Sequence, residues 1–218
     1  MITVYGEGRG FRVVWLLEEM GLAYRVRAVD LLAGVEQDRE FLAVNPAGFI
    51  PAIVDGDIIM VESIAILEYL LATRGPSDLA PTPDDPAFAT YQQFLHMGEA
   101  GLAGPINAIV ATEILAPEGE KRNWTTGWAL GTFESRLGLV RRQLDQTPYM
   151  AGERFTAADI SVTYALELAA RTGCFTLGPV ECAYVARTAA REAYARAMDN
   201  CPATKAWAAE VAGGRSEG

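Results

Sequence analysis

The stretch Asn45-Pro46-Ala47-Gly48-Phe49-Ile50-Pro51-Ala52-Ile53-Val54-Asp55-Gly56-Asp57-Ile58-Ile59-Met60-Val61-Glu62-Ser63 decides how this chain folds. Two β-prone runs, Ala52–Asp55 and Ile58–Val61, flank Asp55-Gly56-Asp57. That is the strongest hairpin signal in the chain, because glycine supplies the positive φ of a tight turn between antiparallel strands. Pro51 cannot donate to a sheet ladder, so it marks the entry to the first of the two strands. In trans, Ile50-Pro51 is an ordinary strand start. In cis, it would turn the Ile50 N–H and C=O outward at a sheet edge, where a peptide-like ligand can pair as an added strand. Ser63 stands where a helix N-cap is expected, ahead of Ile64–Thr73, with Gly75 as the stop. A helix start offers N–H groups to a carboxylate, and Glu62 can hold an ammonium. A plain cap and a seat for the zwitterionic end of an amino acid both fit.

N-terminal to this stretch, strand and helix signals alternate. Ile2–Tyr5 is β-prone, Gly6-Glu7-Gly8-Arg9-Gly10 breaks it, and Phe11–Met20 reads as an apolar helix closed by Gly21. Tyr24, Val26 and Ala28 alternate with Arg25 and Arg27, which predicts a strand. Glu36–Val44 reads as a short helix stopped by Asn45-Pro46. A β-α-β unit followed by β-β-α is the thioredoxin plan, with a mixed four-stranded sheet.

On the other side, Pro76, Pro81, Pro83 and Pro86 allow neither helix nor strand. The expected organisation is therefore α+β: a thioredoxin-like domain over 1–75, a proline-rich linker over 76–86 and an all-α domain over 87–218. Ala87–Leu115 reads as a helix kinked near Gly98, Gly101, Gly104 and Pro105. Further helices are expected over Asn123–Gln146, Thr156–Ala170 and Val180–Met198, with Trp124, Trp128 and Phe133 in the core.

The chain has 218 residues, with 18 Lys plus Arg against 28 Asp plus Glu, a net charge of −10. That balance argues against a general nucleic-acid binder and against docking on anionic lipid. The one histidine, His96, excludes multi-histidine metal sites, and no metal is expected. Three cysteines, Cys174, Cys182 and Cys201, make no disulfide framework and point to a reducing compartment. Met1–Tyr5 reads as strand rather than as a leader, and the apolar runs are too short to span a bilayer, so a cytoplasmic location is expected.

Asn45–Pro51, the hairpin and Glu62-Ser63-Ile64-Ala65-Ile66 together resemble the glutathione transferase family. Phe155-Thr156-Ala157-Ala158-Asp159-Ile160 also resembles that family's buried capping box, and it has its own physical reading: Thr156 caps the Asp159 N–H, Asp159 reaches back, and Phe155 staples onto Ile160. The resemblance spans nearly the whole chain. It implies glutathione as co-substrate, with Phe49, Ile50 and Pro51 against the tripeptide, Pro51 cis, Ile50 pairing with the cysteinyl backbone, and Glu62 and Ser63 holding the γ-glutamyl end. It implies a helical-domain pocket for a small apolar electrophile, near His96 and Met97, and a homodimer.

Such chemistry needs a thiolate, and lowering a thiol pKa by about two units takes about 2.7 kcal/mol. The family places a Tyr, Ser or Cys after the first strand. Aligned on Leu17-Glu18-Glu19, this chain has Gly8 there, and no cysteine in the domain. Three replacements are open: the Tyr5 phenol, the Arg9 charge, or the N–H groups of Arg9 and Gly10 with the helix dipole. Tyr5 also reads as core and Arg9 as a solvated surface residue. His96 reads equally as a packed or partly exposed helix residue.

Two other readings compete. One is a family-like protein that binds without catalysis, since Gly8 carries no side chain. The other is a dinucleotide binder, since Gly6-Glu7-Gly8 follows a strand and Asp30 ends the next. Against the latter, the third glycine of such a fingerprint falls on Phe11, and a hairpin replaces the continuing parallel run. Gly214-Arg215-Ser216-Glu217-Gly218 matches a nucleophile pattern but lacks the strand-to-helix elbow.

Overall fold

The β-prone runs around the Asp55-Gly56-Asp57 turn pair as expected in a computed structural model, which describes residues 1–31, 34–173 and 175–214, with side chains only to 209 in the last helix. Strand β1 is Ile2–Tyr5, β2 Tyr24–Arg27, β3 Ala52–Asp55 and β4 Ile58–Val61. Their order is β2-β1-β3-β4. The β1/β2 pair is parallel, with Val4 opposite Val26, while β1/β3 and β3/β4 are antiparallel, with Val4 opposite Ile53 and Ile53 opposite Met60. This is the mixed sheet of the thioredoxin plan, and it leaves no further parallel strand for a dinucleotide crevice among the described residues.

Helix α1 (Gly10–Met20) crosses between β1 and β2, as a parallel pair requires. Its residues Gly10–Leu17 are all buried, and Gly21 ends it with φ of 65°. The expected helix over Glu36–Val44 divides into a 3₁₀ turn, Val35–Gln37, and α2 (Arg39–Val44). Asp38 causes the break: its Oδ1 caps the Phe41 N–H at 3.0 Å, and its carboxylate also pairs with Arg27. Helix α3 (Ser63–Arg74) follows β4 directly. Its C-terminal turn is pinned to the hairpin, because Tyr69 and Arg74 both bond Asp55. Arg74 holds that carboxyl below its ordinary range against the opposing effect of burial.

One compact unit comprises Met1–Ser77 and Ala190–Gly218, the other Asp78–Ala189. The helix expected over Val180–Met198 divides into α8 (Pro179–Ala189) and α9 (Glu192–Asp199). At the break, Arg191 has an extended backbone and makes a bidentate pair with Glu19 of α1, at 2.6 and 2.7 Å. Tyr194 of α9 packs edge-on against Phe11 and Trp15. So α9 belongs with α1. A further helix, α10 (Pro202–Gly214), follows, and its proline at the first helical position suits a helix start. The sequence pattern had not suggested this element.

In the other unit, the chain from α4 (Phe88–His96) runs through a π-helical turn (Met97–Ala103), α5 (Gly104–Ile109) and a second π-helical turn (Val110–Leu115), where a kinked helix was expected. Gly98 permits close packing: a Cβ there would stand 2.2 Å from the Ser161 Oγ. Helices α6 (Trp124–Leu144) and α7 (Ala157–Arg171) complete the unit with α8. The capping box is formed, with Asp159 accepting from the Thr156 N–H at 2.8 Å. Phe133 is buried and meets Phe175 edge-on. Trp124 and Trp128 are not core, at 79% and 54% exposed. They lie in the first turns of α6 and stack on each other, 6.4 Å apart. No helix among the described residues is long and apolar enough to cross a membrane.

Candidate active site

The turn Gly6–Gly10, between β1 and α1, rests directly on Ile50 and Pro51. Gly6 has φ of +82°, and a Cβ there would lie 2.3 Å from the Ile50 Cγ2. Gly8 has φ of +52°, with the Ile50 Cδ1 3.5 Å from where its Cβ would be, and at Gly10 the corresponding neighbour is the Pro51 Cβ at 3.4 Å. Two segments some forty residues apart in the chain are thereby brought together, and glycine is what lets them approach. The Ile50–Pro51 peptide is cis, as is Gly75–Pro76. Ile50 is half-buried, Pro51 buried and Phe49 exposed. The loop is held by Asn45, whose Nδ2 donates to the Phe49 carbonyl at 2.6 Å and whose Oδ1 accepts from the Ala47 N–H.

The start of α3 differs from expectation. Glu62, exposed and with φ of 70°, takes the N-cap position, and Ser63 is the first helical residue. Ser63 is buried, and its hydroxyl accepts a hydrogen bond from the Arg12 guanidinium at 3.0 Å. Arg12 is fully buried on α1 and places positive charge behind the start of α3. That charge and the helix start reinforce each other as a seat for a carboxylate. Sequence reasoning missed Arg12. The signal was there, as an arginine inside the apolar run Phe11-Arg12-Val13-Val14-Trp15.

The candidates for sulfur activation fall in different surroundings. Tyr5 is 5% exposed and its ring stacks on Phe41, so its aromatic body is core. Arg9 is half-buried at the N-cap of α1. The Gly10 N–H, offered to a ligand on sequence grounds, instead donates to the Glu7 carbonyl at 2.7 Å and closes the turn on itself. His96 is exposed at the end of α4, and Met97 is half-buried at the π-helical turn that follows.

Beside the turn lies a cleft of about 480 Å³, lined by Glu7, Gly8, Ile50, Asp30, Thr204 and Trp207 among others. A second groove, of about 360 Å³, is lined by Glu18, Tyr24 and Asn200, which hydrogen-bond to one another. Glu7 was not singled out by the sequence. It is only 8% exposed, and its Oε2 accepts the Thr204 N–H of α10 at 2.7 Å. Cys201, just before α10, is buried; burial, helped by the charge of Glu7, pushes its thiol up to about 12. Cys182 is exposed; Cys174 and Arg215–Gly218 lie outside the described residues.

A mixed four-stranded sheet with a proline loop facing a glycine turn defines a thioredoxin-like domain, here followed by helices. Residues 2–72 match the family described as "Glutathione S-transferase, N-terminal domain". The chain is 30% identical over 175 residues to Glutathione S-transferase 3 of Schizosaccharomyces pombe, covering 75% of this chain and 71% of that one. It is 28% identical over 204 residues to Glutathione S-transferase 3 of Zea mays, covering 88% and 89%. A solved glutathione transferase from Methylococcus capsulatus superposes with a TM-score of 0.79 at 25% identity, over 91% of this chain and 98% of that one. One from Phanerochaete chrysosporium, in complex with oxidized glutathione, gives 0.80 at 24% identity over 96% and 97%, which speaks for the fold. The chain belongs to the glutathione S-transferase family.

Proposed function

We propose that this protein binds glutathione on its first unit and transfers it to a small apolar electrophile. The γ-glutamyl end lies at Glu62 and Ser63, its carboxylate on the start of α3 with Arg12 behind. The cysteinyl residue pairs along Ile50, next to Phe49 and Pro51, and its sulfur reaches the turn at Gly8. Arg9, at the head of α1, is the cationic candidate beside the sulfur. The new bond is carbon–sulfur, made by addition or displacement; peroxide reduction, ether cleavage and isomerisation would use the same sulfur. The reading includes a cytoplasmic homodimer, with His96 and Met97 as the residues that contact the electrophile.

The observation that supports this most is the buried Arg12–Ser63 bond, which places a cation at the one helix start that follows directly from the hairpin. Titration with glutathione, followed by turnover of a nitro-substituted aryl chloride, tests it. Saturable binding with conjugation is expected. Binding without turnover would leave a non-catalytic glutathione binder, and no binding would overturn the reading.

A further inference from the structure

We propose that the cleft beside Gly8 and Ile50 takes an organic cation, a primary ammonium on an apolar body. As a statement about the substrates, this rests on glutathione lying along Ile50. Parallel strands β1 and β2 end side by side, with Tyr5 opposite Arg27. The chain therefore leaves both strands at the same edge of the sheet. Glu7 and Asp30, two and three residues further on, line one cleft of about 480 Å³. Loops that follow parallel strands are a common place for ligands. Among the described residues that line this one there is no lysine, arginine or histidine. The charged groups of the wall are carboxylates, so an anion is repelled and a cation attracted.

Helix α10 supplies the facing wall. Thr204 and Trp207 stand three positions apart, hence on one face of the helix, and both line the cleft. The Thr204 N–H donates to the Glu7 Oε2 at 2.7 Å, which fixes that carboxylate and leaves acceptor capacity on it. The Thr204 hydroxyl is an independent sign of a ligand. Thr204 is 4% exposed, and its Oγ1 meets no hydrogen-bond partner among the described residues. A buried hydroxyl left without a partner is costly, and an ammonium N–H would supply one. Trp207, 37% exposed, adds an indole face, which attracts a cation through the ring quadrupole. Val29 and Ile50 offer apolar surface to the body of the ligand. A positive charge in this cleft also offsets the repulsion between Glu7 and a thiolate at the adjoining Gly8 turn. The ammonium has two sources: the electrophile itself, or an amine joined to the glycyl carboxylate of glutathione.

Three matched aryl chlorides test the first source: a chloronitrobenzylamine, the corresponding benzyl alcohol and the corresponding benzoate. Dividing each kcat/KM by the uncatalysed rate with glutathione removes the electronic effect of the substituent. At about pH 7 and low salt the amine should exceed the benzoate by about tenfold or more, and the gap should narrow as salt is added. It should also narrow about threefold in Glu7→Gln and in Asp30→Asn. Asp30 is exposed, so its variant keeps the test open should Glu7→Gln fail to fold. Glutathione amidated with a diamine at its glycyl end tests the second source. If the cation enters from there, this compound should bind at least about threefold more tightly than glutathione, with the same response to the two variants. A third arm omits glutathione: benzylammonium should change the tryptophan fluorescence saturably, benzoate should not, and Trp207→Leu should abolish the change. A preference for the benzoate, no preference for the cation in any arm, or preferences untouched in both variants would overturn the cation site and leave glutathione transfer standing. Saturable benzylammonium binding by a protein that does not bind glutathione would support the cation site and overturn the transfer reading.

Discussion

Arg12 on α1 and Ser63 on α3 meet through a buried hydrogen bond of 3.0 Å, although 51 residues separate them in the chain. The bond ties the helix after β1 to the helix after β4, and so fixes the Gly6–Gly10 turn relative to the start of α3. Ser63→Ala removes one acceptor from a buried guanidinium, which costs about 1–3 kcal/mol. Urea unfolding should show that loss. Glutathione affinity should drop at least about tenfold. An unchanged affinity in a folded Ser63→Ala protein would remove Ser63 from the binding site.

Asp159 makes the capping box titrate. Burial pushes its carboxyl up to about 6, against the bonds from the Met150 and Thr156 N–H groups and the Tyr184 hydroxyl. In the unfolded chain an aspartate titrates near about 3.9. The folded state thus binds the proton more tightly, and the contribution of this group is fully present below about pH 4 and is lost as pH rises through about 6. Asp159→Asn should destabilise by about 2–4 kcal/mol, since an amide nitrogen would face donors. The native-minus-variant difference in unfolding free energy should carry the pH slope between those values, and a flat difference would refute it.

The sheet, the hairpin and α1 were legible because their signals are local: a two-residue period, an Asp-Gly turn, an apolar run with no breaker. What was not legible depends on partners far away in the chain. The break between α8 and α9 comes from Arg191 reaching Glu19, 172 residues distant, and alanine-rich sequence gives no sign of it. Trp124 and Trp128 have helical spacing, but spacing does not say which way a helix's first turns face, and both rings lie outside. At the candidate site, Ile50, Pro51 and Ser63 are singled out by motifs in the sequence. Glu7 was passed over because its meaning lies in the N–H of Thr204, on a helix the sequence pattern had not suggested.

Cys201 and Cys182 should differ in reactivity. Thiolate is the nucleophile, and burial next to Glu7 holds Cys201 up to about 12, so almost none is ionised at neutral pH. Alkylation of the native protein followed by peptide mapping should modify the exposed Cys182 and spare Cys201 until the chain is unfolded. Prompt labelling of Cys201 would mean that the start of α10 opens readily, and would weaken the case for a fixed Glu7.

Gly6→Ala tests the contact on which the site is built. At φ of +82° an alanine is strained whatever the space, and here its methyl would also stand 2.3 Å from the Ile50 Cγ2. The branched Ile50 side chain has limited rotamers, so relief must come from moving the Ile50–Pro51 loop or the Gly8 turn. Destabilisation of about 1–3 kcal/mol is expected. Because both displaced segments belong to the proposed thiol site while Ser63 stands at the start of α3, the two halves of glutathione should respond differently. Affinity for γ-glutamyl compounds lacking the cysteinyl-glycine part should change less than affinity for glutathione itself. Equal losses for both would indicate general unfolding rather than a displaced sulfur site, and no loss for either would mean that the turn does not contact the tripeptide.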